Sequence, residues 1–279
     1  MSIETEQKIE QAITNVKPFS QVIQKVNRMI DSAETDSREI ASIIKQDPLL
    51  AARLLSIANS PFYGMSGKIN DIESVCVILG NNIIKNILLS AGALESFPAT
   101  AERKSIWSHS LKVATVAEFL EKQTQQDQSK AYIVGLLHDV GKFILLDTYP
   151  EYHSLIEAEH SMECGSIDEE NKLLGISHAQ VGAKIIDKWN LPEDIQKLIE
   201  THHQPSESVN SPAATLLSLA DSICYQLEAG LSESVVLNNI NNDYLVKIGA
   251  DKKTLQAMLP EIKQKIAILD GMFDNIDEH

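Results

Sequence analysis

Cysteine, long apolar runs and basic clusters are what this sequence lacks. Three cysteines stand in 279 residues, Cys76, Cys164 and Cys224, and no two have a CxxC spacing. That argues against a thiolate zinc site and leaves them as small buried hydrophobes of a reducing compartment. No apolar run is expected to approach the roughly 18 residues that cross a bilayer. The opening MSIETEQKIEQ has no cationic segment followed by an apolar one, so no secretory signal is expected. No Lys/Arg-rich run occurs, and 39 acidic against 24 basic residues give a formal charge of -15. So acidic a chain repels a phosphate backbone, and nucleic acid is not expected as a direct ligand. The expectation is a cytoplasmic protein without a membrane partner.

Helical signals fill most of what is there. In TDSREIASIIKQDPLLAARLLSIANS, Asp36 and Glu39 have the capping-box spacing, and Asp47 before Pro48 pairs an N-cap with a proline at the first helical position. Behind them Ile40, Ile43 and Ile44, then Leu50, Leu54 and Leu55, recur on one helix face. In INDIESVCVILGNN, Asp71 is placed to cap, Val75, Ile78 and Leu79 form the stripe, and Gly80 is placed to end it. Pro260 starts or kinks a segment of the tail. No alternating strand longer than a few residues, no Asn-Gly hairpin and no fixed-period repeat occurs, so the expected fold is all-α. ESFPAT separates an N-terminal part without histidine from a region holding seven of the eight. HHQPSESVNSP reads as a loop between two helices. The expected parts are residues 1–98, a core over 99–230 and a C-terminal helical extension over 231–279.

The histidines carry the chemistry. His109, His138, His178, His202 and His203 each sit on or beside an expected helix, with Asp139 and Asp221 as carboxylates. A helix bundle converges such side chains onto one interior point, and imidazole with carboxylate suits zinc, iron, manganese or nickel. In AYIVGLLHDVGKFILLDTYP, the adjacent His138 and Asp139 point about 100° apart on a helix. Both reach one centre only near a helix end, which Gly141 is placed to supply, with Lys142 then at the mouth. A lone histidine on an apolar face is more often a hydrogen-bonded core residue, and His153, His160 and His279 are read as incidental.

GLLHDVGK resembles the central motif of the HD superfamily of metal-dependent phosphohydrolases, in which a first His, a His-Asp doublet and a distant Asp bind metal. The resemblance puts the first His at His109 in IWSHSLKVATVAEFL, the doublet at His138 and Asp139, and the last Asp at Asp221 in LADSICYQL. IIKQDPLLAARLLSIANSPFYG, INDIESVCVILGNNIIKNILL and LLGISHAQVGAKIIDKWNLPEDIQKLIETHHQP resemble more specifically the HDOD (HD-related output domain) family, from Phe19 to Gly230. That implies an HD-type helical bundle with an additional N-terminal helical subdomain.

The HDOD family is generally regarded as a signalling and regulatory module, and many members have lost HD ligands; this chain keeps all four. In the related HD-GYP phosphodiesterases further histidines complete a site of two or more metals, and His178, His202 and His203 fall in similar places. Two departures stand out. Ser105 lies one turn before His109, where members with a third metal have a carboxylate, and HHQPSESVNSP lacks the Gly-Tyr-Pro segment, which argues against cyclic dinucleotide hydrolysis. The resemblance therefore implies one or two divalent ions in a regulator acting through a signalling protein partner or a phosphate-containing small molecule. The alternative is an active phosphohydrolase or phosphodiesterase, with Asp139 orienting the nucleophile and Lys142 placing positive charge at the phosphate. A third reading is a helical scaffold with relic histidines, against which stands the cost of keeping unpaired polar groups buried.

Overall fold

The computed structural model describes residues 3–30, 36–59, 69–98, 100–125, 130–155, 166–203 and 211–274. His160, Cys164, His279, the end of ANSPFYG and loop positions 204–210 lie outside them. Among the described residues there are fifteen helices and no strand. They form two compact units, one of Lys17–Pro98 and one joining Met1–Val16 to Ala99–His279.

The smaller unit holds α2 (Gln21–Ile30), α3 (Ser37–Ile44), α4 (Pro48–Ala58) and α5 (Ile72–Ser96). All three expected caps form. Asp36 accepts from the Arg38 N–H at 3.0 Å, Asp47 from Leu50 at 3.0 Å and Asp71 from Ser74 at 2.8 Å. Each satisfies an orphan donor, an effect of about 1 kcal/mol. The α5 helix packs on α2, α3 and α4, with Val75, Ile84 and Leu88 buried.

Two expectations are corrected here. Gly80 does not end the helix but kinks it, at φ +77°, where a side chain would be strained. And α5 is long and apolar enough to cross a bilayer by length and composition, although half of its apolar window is buried inside the protein. The kink leaves about 16 residues in one straight run, ~24 Å, short of a ~30 Å hydrocarbon core.

The larger unit holds α1 (Ile3–Asn15), α6 (Ala101–Gln123), α7 (Ala131–Leu137), α8 (Val140–Thr148), α9 (Ser166–Leu173), α10 (His178–Lys188), α11 (Glu193–Glu200), α12 (Pro212–Glu228), α13 (Glu233–Asn239), α14 (Asn242–Lys247) and α15 (Lys252–Asp274). Pro260 lies inside α15, which runs through it. Every residue of α7 is buried, as a helix apolar all round requires, and it packs against α6, α11 and α12. A Cβ at Gly135 would stand 2.7 Å from the Ala114 Cα, so α6 and α7 touch backbone to backbone.

Gly141 lies in the first turn of α8 instead of ending a helix. A Cβ there would meet the His178 carbonyl oxygen at 1.9 Å and the Gly182 nitrogen at 2.7 Å. Its function is to let α8 lie on α10, which sets His178 beside the His-Asp doublet. Gly141→Ala forces two backbones apart, a strain no rotamer change relieves. It is expected to lower stability by about 3 kcal/mol in denaturant unfolding; a midpoint equal to wild type would contradict this packing.

Candidate metal centre

Five helix ends and faces supply the centre. The break between α7 and α8 falls at His138 and Asp139 themselves, so the two side chains leave the helical spiral and reach one point. Ser177 caps α10 in a reciprocal capping box with Gln180, which places His178 at the first helical position. His202 and His203 follow the end of α11, His109 comes from α6 and Asp221 from α12.

These residues gather into two groups whose ligand atoms lie within 4.8 Å of one another: Asp139, His178, His202 and His203, and His109, His138 and Asp221. The structure thus brings together all seven residues expected as ligands from the sequence. Asp139 joins the groups, with Oδ2 3.3 Å from His138 Nε2 and Oδ1 3.3 Å from His178 Nε2. Asp221 Oδ1 lies 3.0 Å from His109 Nε2 and 3.9 Å from His138 Nε2.

The hydrogen bonds behind the rings fix which nitrogens point inward. His138 Nδ1–H donates to the Gly135 carbonyl at 2.7 Å and His202 Nδ1–H to the Ile199 carbonyl at 2.6 Å. A carbonyl only accepts, so these bonds put the proton on Nδ1 and aim the Nε2 lone pair at the centre. His178 Nδ1–H donates to Glu170 at 2.8 Å, and Glu170 also accepts from the His178 backbone N–H at 2.7 Å and from the Tyr152 hydroxyl at 2.5 Å. The His178 Nε2 then faces His202 Nε2 at 3.3 Å and His203 Nε2 at 3.1 Å. One proton on His178 satisfies one acceptor around it; a cation satisfies all of them. The buried Asp139 Oδ1 has no hydrogen-bond partner, which is costly unless something positive sits against it. This donor set of imidazole nitrogens and carboxylate oxygens fits a divalent transition metal.

The electrostatics agree. Burial pushes His202 well below its ordinary pKa, with the neighbouring imidazoles adding to the effect. Desolvation of the His203 ring where it faces His178 takes it down to about 4, although the residue as a whole is exposed. Burial opposes ionisation of Asp139, but His138 and Lys142 outweigh it and hold the carboxyl well below the usual range. Asp221 is likewise lowered, since the His109 hydrogen bond overcomes its burial. Ionised carboxylates beside the neutral His202 and His203 are ready to take up a cation, whereas His109 and His178, raised by their carboxylate partners, must first give up a proton.

Lys142 differs from expectation. It is buried, not at a mouth, and its Nζ lies 3.0 Å from Asp139 Oδ2. The open side is instead at His203, which is exposed, and Asp221, whose side chain is 27% exposed. His153 is exposed and in neither group. Ser105, one turn before His109, is exposed as well.

The sequence reading missed Glu170, Tyr152, Glu228 and Lys112. Glu228 accepts from His109 Nδ1–H at 2.7 Å, and Lys112 donates to it at 2.9 Å. The spacing of Glu228 seven residues after Asp221, two turns on one face, was a usable signal. Glu170 had none, because the connection between α9 and α10 is what brings it back to His178. A carboxylate behind a ligating imidazole fixes ring and tautomer, so Glu170→Gln is expected to weaken metal binding about 10–100-fold by calorimetry. Unchanged affinity would remove Glu170 from that role.

A helical bundle closing such a cluster around a His-Asp doublet defines the HD class of domains. Within it, the chain belongs to the HDOD domain family, whose model matches residues 16–205. It is 29% identical over 201 residues to an uncharacterized protein of Treponema pallidum, covering 70% of this chain and 39% of that one. It is 28% identical over 180 residues to Ribonuclease Y of Mycoplasma genitalium, covering 62% and 31%. The chain thus spans 31–39% of the length of these relatives. The crystal structure of an HDOD domain protein of unknown function from Geobacter sulfurreducens has the same fold, with a TM-score of 0.76 at 22% identity over 96% of this chain and 98% of that one.

Proposed function

We propose that this is a metal-binding signal-transduction module of the HDOD type, acting through a protein partner or a phosphate-bearing small molecule. The observation that carries the metal is the set of inward-facing Nε2 lone pairs around the unpartnered Asp139 Oδ1. His109, His138, Asp139, His178, His202, His203 and Asp221 would hold one or two divalent ions. Bound there, a metal supplies a Lewis acid and a water acidified to near neutral pH. Lys142 keeps Asp139 ionised and oriented, and the exposed edge at His203 and Asp221 is where a phosphate group would enter.

That same open edge favours a second reading, hydrolysis of a phosphate ester, since a purely structural site needs no open position. The ribonuclease name of one relative points to phosphodiester chemistry on a related core. RNA itself suits this chain poorly, because a charge of -15 repels it.

Protein purified without a His-tag and incubated with manganese, iron or zinc tests the first reading. Stoichiometric retention after desalting is expected, and a chain that stays metal-free sinks the proposal. Metal-saturated protein is then given bis-p-nitrophenyl phosphate, nucleoside monophosphates and cyclic dinucleotides. Turnover selects the hydrolase; intact substrates leave the regulator.

A further inference from the structure

The back of the centre is wired to the C-terminal helix. Asp221 and Glu228 lie on one face of α12, two turns apart, and take opposite nitrogens of a single ring. Asp221 Oδ1 is 3.0 Å from His109 Nε2, and Glu228 Oε2 is 2.7 Å from His109 Nδ1. The other Glu228 oxygen accepts from Lys112 Nζ at 2.9 Å, and the same ammonium lies 2.6 Å from Asp270 Oδ1 on α15. Lys112 follows His109 by three residues on α6, so one turn of helix presents both the imidazole and the buried cation. The α15 helix packs along α6, with Leu255, Leu259, Ile262, Ile266 and Leu269 buried, and Asp270 directly follows that stripe. Glu228 and Asp270 both lie beyond residue 205, where the match to the family model ends.

We propose that Glu228, Lys112 and Asp270 are positioning residues for His109, and that through them occupancy of the metal centre is coupled to the seating of the last turns of α15. The inference rests on the metal-site reading. Glu228 holds the His109 Nδ1–H and so keeps Nε2 aimed inward, while Lys112 pins Glu228. Asp270, whose side chain is 49% exposed, shares the charge of an ammonium that is itself buried. When the end of α15 lifts, Lys112 keeps Glu228 as its carboxylate in this relay and draws it away from His109. Coupling of this kind is reciprocal, so whatever seats α15 favours metal, and metal seats α15.

The test uses the full chain, manganese calorimetry and amide hydrogen exchange over α15. In the wild type, manganese is expected to slow exchange in the last turns of α15. Asp270→Asn should weaken manganese binding about fivefold or more and abolish that slowing, and Asp270→Glu should restore both. A wild type that binds manganese without any slowing, or an Asp270→Asn variant with unchanged affinity and unchanged slowing, overturns the coupling and leaves the metal site standing. Equal losses in Asp270→Asn and Asp270→Glu mark a general disturbance of the fold and also overturn it. A wild type that binds no manganese, iron or zinc overturns both readings together.

Discussion

Asp139→Asn is expected to remove metal binding altogether, with affinity falling about 100-fold or more, beyond the 10–100-fold typical of losing a supporting residue. Asp139 is the carboxylate that bridges the two ligand groups, and each of its oxygens has a separate task. Oδ2 lies 3.0 Å from the Lys142 ammonium, and Oδ1 faces His178 Nε2 at 3.3 Å with no hydrogen bond. An amide keeps the size and loses the charge. Its N–H then donates to an imidazole lone pair, offering the metal-free protein the contact that a cation would otherwise supply. The buried Lys142 meanwhile loses the Asp139 charge, which costs about 3 kcal/mol. The expected result is a folded, helical, less stable protein that retains no metal after desalting. Stoichiometric metal in Asp139→Asn would place the ion elsewhere and end the case for this centre.

The parts legible in the sequence were those set by local chemistry. Asp36, Asp47 and Asp71 start helices because a side-chain oxygen satisfies a backbone donor two or three residues on, and that needs no tertiary knowledge. The His138–Asp139 doublet was legible because an imidazole beside a carboxylate in an oily run demands a partner, and the other five residues were named by their helical setting and by resemblance to the HD motif and its relatives. What escaped depends on packing between distant segments. Gly141 read as a helix end from its own neighbours, whereas its use is the crossing with Gly182, forty-one residues later. Gly80 read as a stop because nothing local shows that α5 resumes its course beyond the kink. Lys142 read as a residue at a mouth, since sequence reveals neither its burial nor its pairing with Asp139. Glu170 lacks helical spacing to His178 and is set behind it by the connection between α9 and α10.

Metal uptake is expected to release protons, and the affinity should rise steeply with pH. In the metal-free protein burial opposes the charged form of His109, but the hydrogen bonds its ring donates to Asp221 and Glu228 outweigh it and raise its pKa to about 10. His178 is raised as well, because Glu170 more than offsets its burial. A cation must displace those protons, whereas His202 and His203, held low, have none to give near neutrality. The proton displaced from His109 tightens the apparent Kd about tenfold per pH unit between pH 6.5 and 8.5. The stability of the metal-free fold runs the other way. A group whose folded pKa lies above its unfolded value near 6.5 binds more protons when folded, so its stabilisation is complete below pH 6.5 and is lost as pH climbs toward 10. His109 alone accounts for a loss on the order of 2 kcal/mol between pH 6.5 and 8.5. Chelated protein should therefore melt at a lower temperature at pH 8.5 than at pH 6.5, and metal-loaded protein should show the reverse. Calorimetry in two buffers of different ionisation enthalpy counts the protons directly. A Kd flat across this range, with no proton released, would mean that His109 and His178 do not bind the metal.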